Sequence, residues 1–279
     1  MTAYAPRTLE EALAVRLAHP EATPVAGGTD LMVAVNAGAA NPHALLDLSH
    51  VSELAELRRE NGDLTVGSGV TFAQLAREAS GPLAEAAAAV ASPQVRNRAT
   101  LGGNVCTASP AGDGIAVLAA LDAEVVAASA AGARHVPWDA FLTGPKKTAL
   151  REDELVTAVT WRVPAGSGAF VKVGLRGAMV IAVASACVQL DEEARHVRLA
   201  LGSVAPSVVR ARRAEAFAAA ELDWDDPWGP ALHEFARLAA SETTPIDDGR
   251  ATAAYRRHAV EVIARRALER ALGARRRSC

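Results

Sequence analysis

The sequence predicts an α+β protein, and three observations carry that expectation. Its first 57 residues alternate short apolar runs with helical patterns, as a small α/β unit does. Residues 58–165 continue the mixture around a long glycine-rich stretch. From Glu154 onward four strand candidates follow one another and helices come after them, the order expected of an antiparallel sheet carrying helices on one side. The segmentation that follows is 1–57, 58–165 and 166–279, with the stronger boundary at "VPAGSGA" and the weaker near residue 58.

The elements read in order. "RTLEEALAVRLAHP" opens a helix, with Thr8 and Glu11 as a capping box and Leu9, Leu13 and Leu17 on one face. "TPVA" is a short strand running into "GGTD", and "LMVAVNAG" is a second helix ending near Gly38. "ALLDLSHV" is the next strand. Asn61 and Gly62 signal a turn before the alternating strand "DLTVGSGV", and Thr71 with Gln74 forms a second capping box ahead of "FAQLAREA". "PLAEAAAAVA" is helical and stops at Pro93, where a long loop begins; "GIAVLAALDA" and "EVVAAS" then give a helix and a strand. The four later strands are "ELVTAVTWRV", "AFVKVGL", "MVIAVASACVQL" and "HVRLALGSV", and helices are expected near 210–221, 228–242 and 252–272.

Composition excludes several classes of function. Half of the 279 residues are apolar, much of that alanine, yet no stretch approaches the roughly 20 uninterrupted apolar residues of a membrane span. Net charge is −3 and the basic residues are interspersed with acidic ones outside the tail "ARRRSC", which is no footprint for nucleic acid. Cys106, Cys187 and Cys279 lie too far apart for a disulfide framework or a CxxC metal site, and the seven histidines are scattered. The amino terminus reads as neither a secretory signal nor a transit peptide, so a cytoplasmic protein is expected.

Two stretches can carry chemistry. In "VAGGTDL" (25–31) a strand enters two glycines and then a helix, which lets main-chain N–H groups approach an anion without side-chain obstruction. Taken alone, the motif is better explained as a tight turn with Thr29 or Asp30 capping the helix. The loop "PQVRNRATLGGNVCTASPAGD" repeats the paired glycine beside a hydroxyl and adds Thr107, Ser109 and Asp113. Two such loops together suit a ligand with a diphosphate at its middle, and a dinucleotide is the favoured reading. Cys106 reads as a small buried residue, and Asp113 alone as a helix cap.

At these residues the chain resembles the FAD-binding medium subunit of the molybdenum hydroxylases, the group of bacterial xanthine dehydrogenase and carbon monoxide dehydrogenase. The resemblance is carried by "AGGTDLMV", "SPQVRNRATLGGNVCTASPAGD", "GPKKTAL" with "DELV", "FVKVGLRGAM", "GSVAPSVVRARRAE" and "PIDDGRATAAYRRHAVEVIARRALERAL", in that order, from about residue 4 to residue 272. It implies two α/β subdomains clasping FAD, in the manner of the vanillyl-alcohol oxidase (PCMH-type) fold, followed by antiparallel strands with helices. It assigns to the cofactor Val25, Ala26, Gly27, Gly28, Thr29, Asp30 and Leu31, as main-chain donors to the diphosphate, and Thr100, Leu101, Gly102, Gly103 and Asn104 as a second phosphate-facing loop. Asp113 would lie on the ribose or adenine side with Ser109 in support. Leu155 or Val156 would pack near the cofactor, and Lys172 would lie near the isoalloxazine edge, where a cation stabilises the anionic reduced ring.

The function so implied is electron relay within a molybdopterin-dependent oxidoreductase. A large molybdopterin subunit oxidises the substrate, a small subunit with two [2Fe–2S] clusters passes electrons on, and FAD on this chain hands them to an acceptor; two copies of each subunit would form a heterohexamer. No side chain here acts as nucleophile, general acid or general base. Two departures from the resemblance stand out: Val180 occupies a position where relatives often carry aspartate, and "GPKKT" lacks the tyrosine of the common "GYRKT". Two other readings are weighed: a stand-alone flavin oxidase, disfavoured by a carboxy-terminal part of only about 110 residues, and a non-redox assembly module that has lost FAD.

Overall fold

A computed structural model describes residues 2–224 and 229–278, with side chains as far as Arg275. Along the chain run β1 (Thr2–Tyr4), α1 (Leu9–Ala18), β2 (Thr23–Val25), α2 (Leu31–Asn36), β3 (Ala44–Asp47), β4 (Leu57–Glu60), β5 (Asp63–Gly67), α3 (Phe72–Glu78) and α4 (Gly81–Ala89). Next come α5 (Pro93–Arg96), α6 (Leu101–Thr107), α7 (Asp113–Ala120), β6 (Glu124–Ser129), β7 (Gly132–Pro137), α8 (Trp138–Phe141), β8 (Leu142–Gly144), β9 (Lys147–Thr148) and β10 (Leu155–Arg162). The remainder is β11 (Gly168–Val173), β12 (Ala184–Asp191), β13 (His196–Gly202), β14 (Val209–Arg210), α9 (Arg212–Glu221), α10 (Pro230–Ser241) and α11 (Ala253–Ser278). These elements form two units. The first comprises residues 1–75, 92–108 and 123–162, the second 76–91, 109–122 and 163–279.

In the first unit a parallel sheet of order β1-β3-β2 is packed by α1. Thr8 Oγ1 accepts from the Glu11 N–H at 3.2 Å, while the Glu11 carboxylate reaches back to the Arg7 N–H at 2.8 Å, one residue beyond a standard capping box. The buried residue of α1 is Ala12, which joins Ala22, Ala44, Leu46, Val51, Leu54 and Leu155 in one core. Leu9 and Leu13 pack against that core, but Leu17, one turn on, is 58 % exposed. A second sheet has the order β4-β5-β10-β6-β7. Its β4–β5 hairpin turns through Asn61 and Gly62, both with positive φ (52° and 84°), the conformation an Asn-Gly pair tolerates. β10 lies between β5 and β6 and pairs antiparallel with both, so much of it is buried.

The second unit is built on an antiparallel sheet of order β11-β12-β13-β14. Residues 184–190 of β12 are all buried, so helices cover both faces of the sheet, not the one face expected. Ala184, Ala186, Val188 and Leu190 face a core shared with α9, α10 and α11, to which Val260, Ile263, Ala264, Ala267, Leu268, Ala271 and Leu272 contribute at helical spacing. Ser185, Cys187 and Gln189 face the other way. There Gly202 of β13 has Ser185 Oγ and Ala116 Cβ at the place a side chain would need, and α4 and α7 contact the strands. Small and polar residues on that face admit α7, every residue of which is buried. Gln189 meets the cost of burial by donating to the carbonyls of Gly166 and Leu190.

Candidate functional site

The stretch read as one long loop is partly helical. Ser92 caps α5 through the Val95 N–H, and Thr100 caps α6 by accepting from the Gly103 N–H at 3.1 Å. Glycines at the start of α6 are poor helix formers, but the chain is held there by tertiary bonds: Leu101 N–H to Val70 O (2.9 Å) and Gly102 N–H to Ser68 O (2.8 Å). With Asn104 N–H on Thr100 O (3.0 Å), the donors from Leu101 to Asn104 are all taken internally. Gly102 packs so closely on Ser68 that a Cβ would overlap that residue's side chain and backbone. Gly103 is exposed, and the Asn104 Oδ1 is buried with no hydrogen-bond partner among the described residues.

The first glycine pair behaves differently. Beyond β2 the main-chain N–H groups from Ala26 to Leu31 have no acceptor among the described residues; the nearest bond in sequence is Met32 N–H to Gly28 O. Gly27 lies against the backbone of Arg98 and Ala99, where any Cβ would collide with the Arg98 carbonyl, and Gly28 has φ +69°. Asp30 stands at the N-cap position of α2 but makes no capping bond. Its Oδ2 instead accepts from Thr107 Oγ1 at 3.0 Å, at the end of α6. The two glycine segments are therefore neighbours in the first unit, joined by contacts that no local motif announces.

Leu155 and Val156 are buried on β10, and Leu155 belongs to the core of the N-terminal sheet. The strand entrance is fixed by Glu154, a buried carboxylate that accepts from Arg134 Nε and Nη2 (2.7 and 2.9 Å) and from the Arg151 N–H (2.7 Å). These hydrogen bonds, led by the Arg134 guanidinium, hold the Glu154 carboxyl below its usual range. "GPKKT" forms the β8–β9 hairpin, and its Lys146 N–H bonds Ala108 O at 3.0 Å, just past α6. Cys106 is exposed, contrary to the buried position expected: Leu101, Gly102 and Val105 take the inward face of α6, and Gly103 and Cys106 the outward one.

In the second unit, Ser109 Oγ accepts from the Ala111 N–H at 3.3 Å within a turn. Asp113 is the first residue of α7 and does not cap it; Gly112 holds the cap position. Its Oδ2 is 2.6 Å from Lys172 Nζ, which also donates to Ala89 O at 3.1 Å. Both side chains are largely buried, at 7 % and 10 % exposure, and Asp113 Oδ1 has no partner among the described residues. Burial pushes the Asp113 carboxyl up to about 6 against the pull of the lysine. Lys172 is thus no solvated strand residue. Val180 packs on Gly174, filling the space its missing side chain leaves, so an aspartate there would put a carboxylate on an apolar contact.

The residues present fit a bound dinucleotide. A run of free main-chain donors suits an anionic diphosphate, Gly27 lets that run lie close against the Arg98 and Ala99 backbone, and the buried Asn104 Oδ1 can accept from a ligand donor. Among the described residues no three His, Cys, Asp or Glu side chains cluster for a metal, and no helix is long and apolar enough to cross a membrane.

Comparison with known proteins agrees with that geometry. Residues 1–165 match the FAD binding domain in molybdopterin dehydrogenase, and residues 169–271 match the CO dehydrogenase flavoprotein C-terminal domain. The class defined by fold and site is an FAD-binding oxidoreductase subunit. The xanthine dehydrogenase FAD-binding subunit of Escherichia coli O157:H7 is 30 % identical, over 96 % of this chain and 94 % of that protein. The carbon monoxide dehydrogenase medium chain of Afipia carboxidovorans is 31 % identical over 96 % and 95 %. Among solved structures, a chain of carbon monoxide dehydrogenase from Hydrogenophaga pseudoflava superposes with TM-score 0.90 at 30 % identity, covering 99 % of this chain and 98 % of its own. The chain belongs to the FAD-binding flavoprotein subunits of the molybdopterin dehydrogenases, the xanthine and CO dehydrogenase type.

Proposed function

We propose that this chain is the electron-transfer flavoprotein of a multi-subunit molybdenum hydroxylase, receiving electrons from the [2Fe–2S] clusters of a partner and delivering them to an external acceptor. The observation that carries the reading is the run of unpaired N–H groups from Ala26 to Leu31 in a chain of this family. When bound, FAD supplies redox chemistry that links one-electron and two-electron partners. Ala26 to Leu31 hold the diphosphate through main-chain N–H groups, and Val25, the last residue of β2, leads the chain into them. Asn104 offers its side-chain amide, and exposed Gly103 lets a ligand approach the backbone of Thr100 to Asn104. Ser109, Asp113, Leu155, Val156 and Lys172 stay in the proposed set on the family resemblance.

Supporting the division of labour, two [2Fe–2S] clusters require about eight cysteine ligands, whereas this sequence has three cysteines. The clusters then reside on a small iron–sulfur subunit, and the molybdopterin centre, where substrate is oxidised, on a large one. A heterohexamer of two copies of each, located in the cytoplasm, completes the proposal, as do the boundaries at residues 57 and 165. The relatives named as medium chains and FAD-binding subunits support such an assembly.

The test is the visible spectrum of the purified chain, with the chromophore released and identified. Stoichiometric, non-covalent FAD without iron–sulfur absorption is expected. A colourless chain that takes up no added FAD would overturn the proposal.

A further inference from the structure

The free N–H groups of Ala26 to Leu31 can serve a ligand only if the segment keeps its conformation, and it has few bonds of its own. One end is set by Gly27 against the backbone of Arg98 and Ala99. The other end carries Asp30, whose carboxylate is drawn away from the cap position of α2 and accepts the Thr107 hydroxyl across 77 residues of sequence. Thr107 is itself in a fixed place. It is the last residue of α6, and the following Ala108 adopts φ +47° and accepts the Lys146 N–H.

We propose that the Thr107–Asp30 hydrogen bond is a positioning contact for the cofactor: it fixes the Ala26–Leu31 segment, and hence the direction of its free N–H groups, against the end of α6. Thr107 and Asp30 act here through the backbone they hold, and the Asp30 side chain does not touch the ligand. A carboxylate beside a diphosphate would repel it, so tying Asp30 to a hydroxyl also keeps that charge directed away from the anion. The proposal rests on the flavoprotein reading.

The experiment is titration of the full-length apo chain with FAD, together with its thermal melting and the phosphorus NMR signals of bound FAD. Thr107→Val and Asp30→Ala should each weaken FAD about fivefold, the scale of one hydrogen bond at a partly exposed site. The double variant should be no weaker than either single one, because both remove the same bond. Thr107→Ser and Asp30→Asn keep donor and acceptor and should bind as the parent does; Asp30→Asn, having shed a negative charge, is expected to match or exceed it. The diphosphate signals should move in Thr107→Val and stay in Thr107→Ser, with apo melting unchanged in both. Parent-like affinity in Thr107→Val, losses that multiply in the double variant, or an Asp30→Asn loss equal to that of Asp30→Ala would overturn the clasp while leaving the flavoprotein reading intact. Absence of FAD binding by the parent chain would overturn both.

Discussion

The two glycine pairs look like copies of one device, yet the fold uses them in opposite ways. At Gly27–Gly28 the chain leaves its main-chain donors free and holds the segment by contacts at either end. At Gly102–Gly103 every donor from Leu101 to Asn104 is already bonded, and the missing side chain of Gly102 serves close packing on Ser68. A glycine pair therefore marks a place where backbone must come close to something; only the hydrogen-bond inventory tells whether that partner is a ligand or the protein itself.

Substitutions separate the two roles. The largest effect is expected from Gly27→Ala, whose Cβ collides with the Arg98 backbone and displaces the donor segment; FAD affinity measured by flavin fluorescence should fall by at least about a hundredfold. Gly102→Ala should instead act on the apo protein, lowering stability by about 1–3 kcal/mol in denaturant unfolding, as overpacking does. Were Gly102→Ala to abolish FAD binding with unchanged stability, the contrast between the pairs would break. Asn104→Ala sharpens it. The buried Oδ1 has no partner among the described residues, so its loss should leave apo melting unchanged or raised while FAD affinity drops about tenfold.

A smaller effect concerns the second unit. The Asp113 carboxyl, raised by burial to about 6, binds a proton in the folded state at pH values where the unfolded chain has released it. Its contribution to stability is complete below about pH 4 and is lost as pH rises through about 6. The stability difference between the parent and Asp113→Asn, followed by thermal melting, should therefore turn against the parent across that window and be flat above it.

The sequence was most legible where the cause is local. Thr8 and Thr71 cap the helices they precede, with Oγ1 accepting from Glu11 and Gln74 N–H at 3.2 Å each. The Asn61–Gly62 turn and strands β10, β11 and β13 also lie where turn chemistry and apolar pattern put them, whereas β12 starts at Ala184, five residues after the apolar run that begins at Met179. The family was within reach too. Short pieces escaped: β1, β14 and the β7–β9 region are too brief or too polar to show a period, and each depends on its neighbours for pairing. α6 was hidden because two glycines argue against a helix until Ser68 and Val70 are brought beside them. The second helical cover of the C-terminal sheet comes from α4 and α7, which lie far from it in sequence. The same holds for the site: Asp30 with Thr107, and Asp113 with Lys172, are separated by 77 and 59 residues, and no spacing rule foresees either pair.

Amide hydrogen exchange of the full chain, with and without FAD, tests the central contrast most directly. The amides of Ala26 to Leu31 should exchange rapidly in the apo protein and become protected when FAD binds. Those of Leu101 to Asn104 should be protected in both states. Protection of Ala26 to Leu31 before FAD is added, or protection gained at Leu101 to Asn104 alone, would contradict the account.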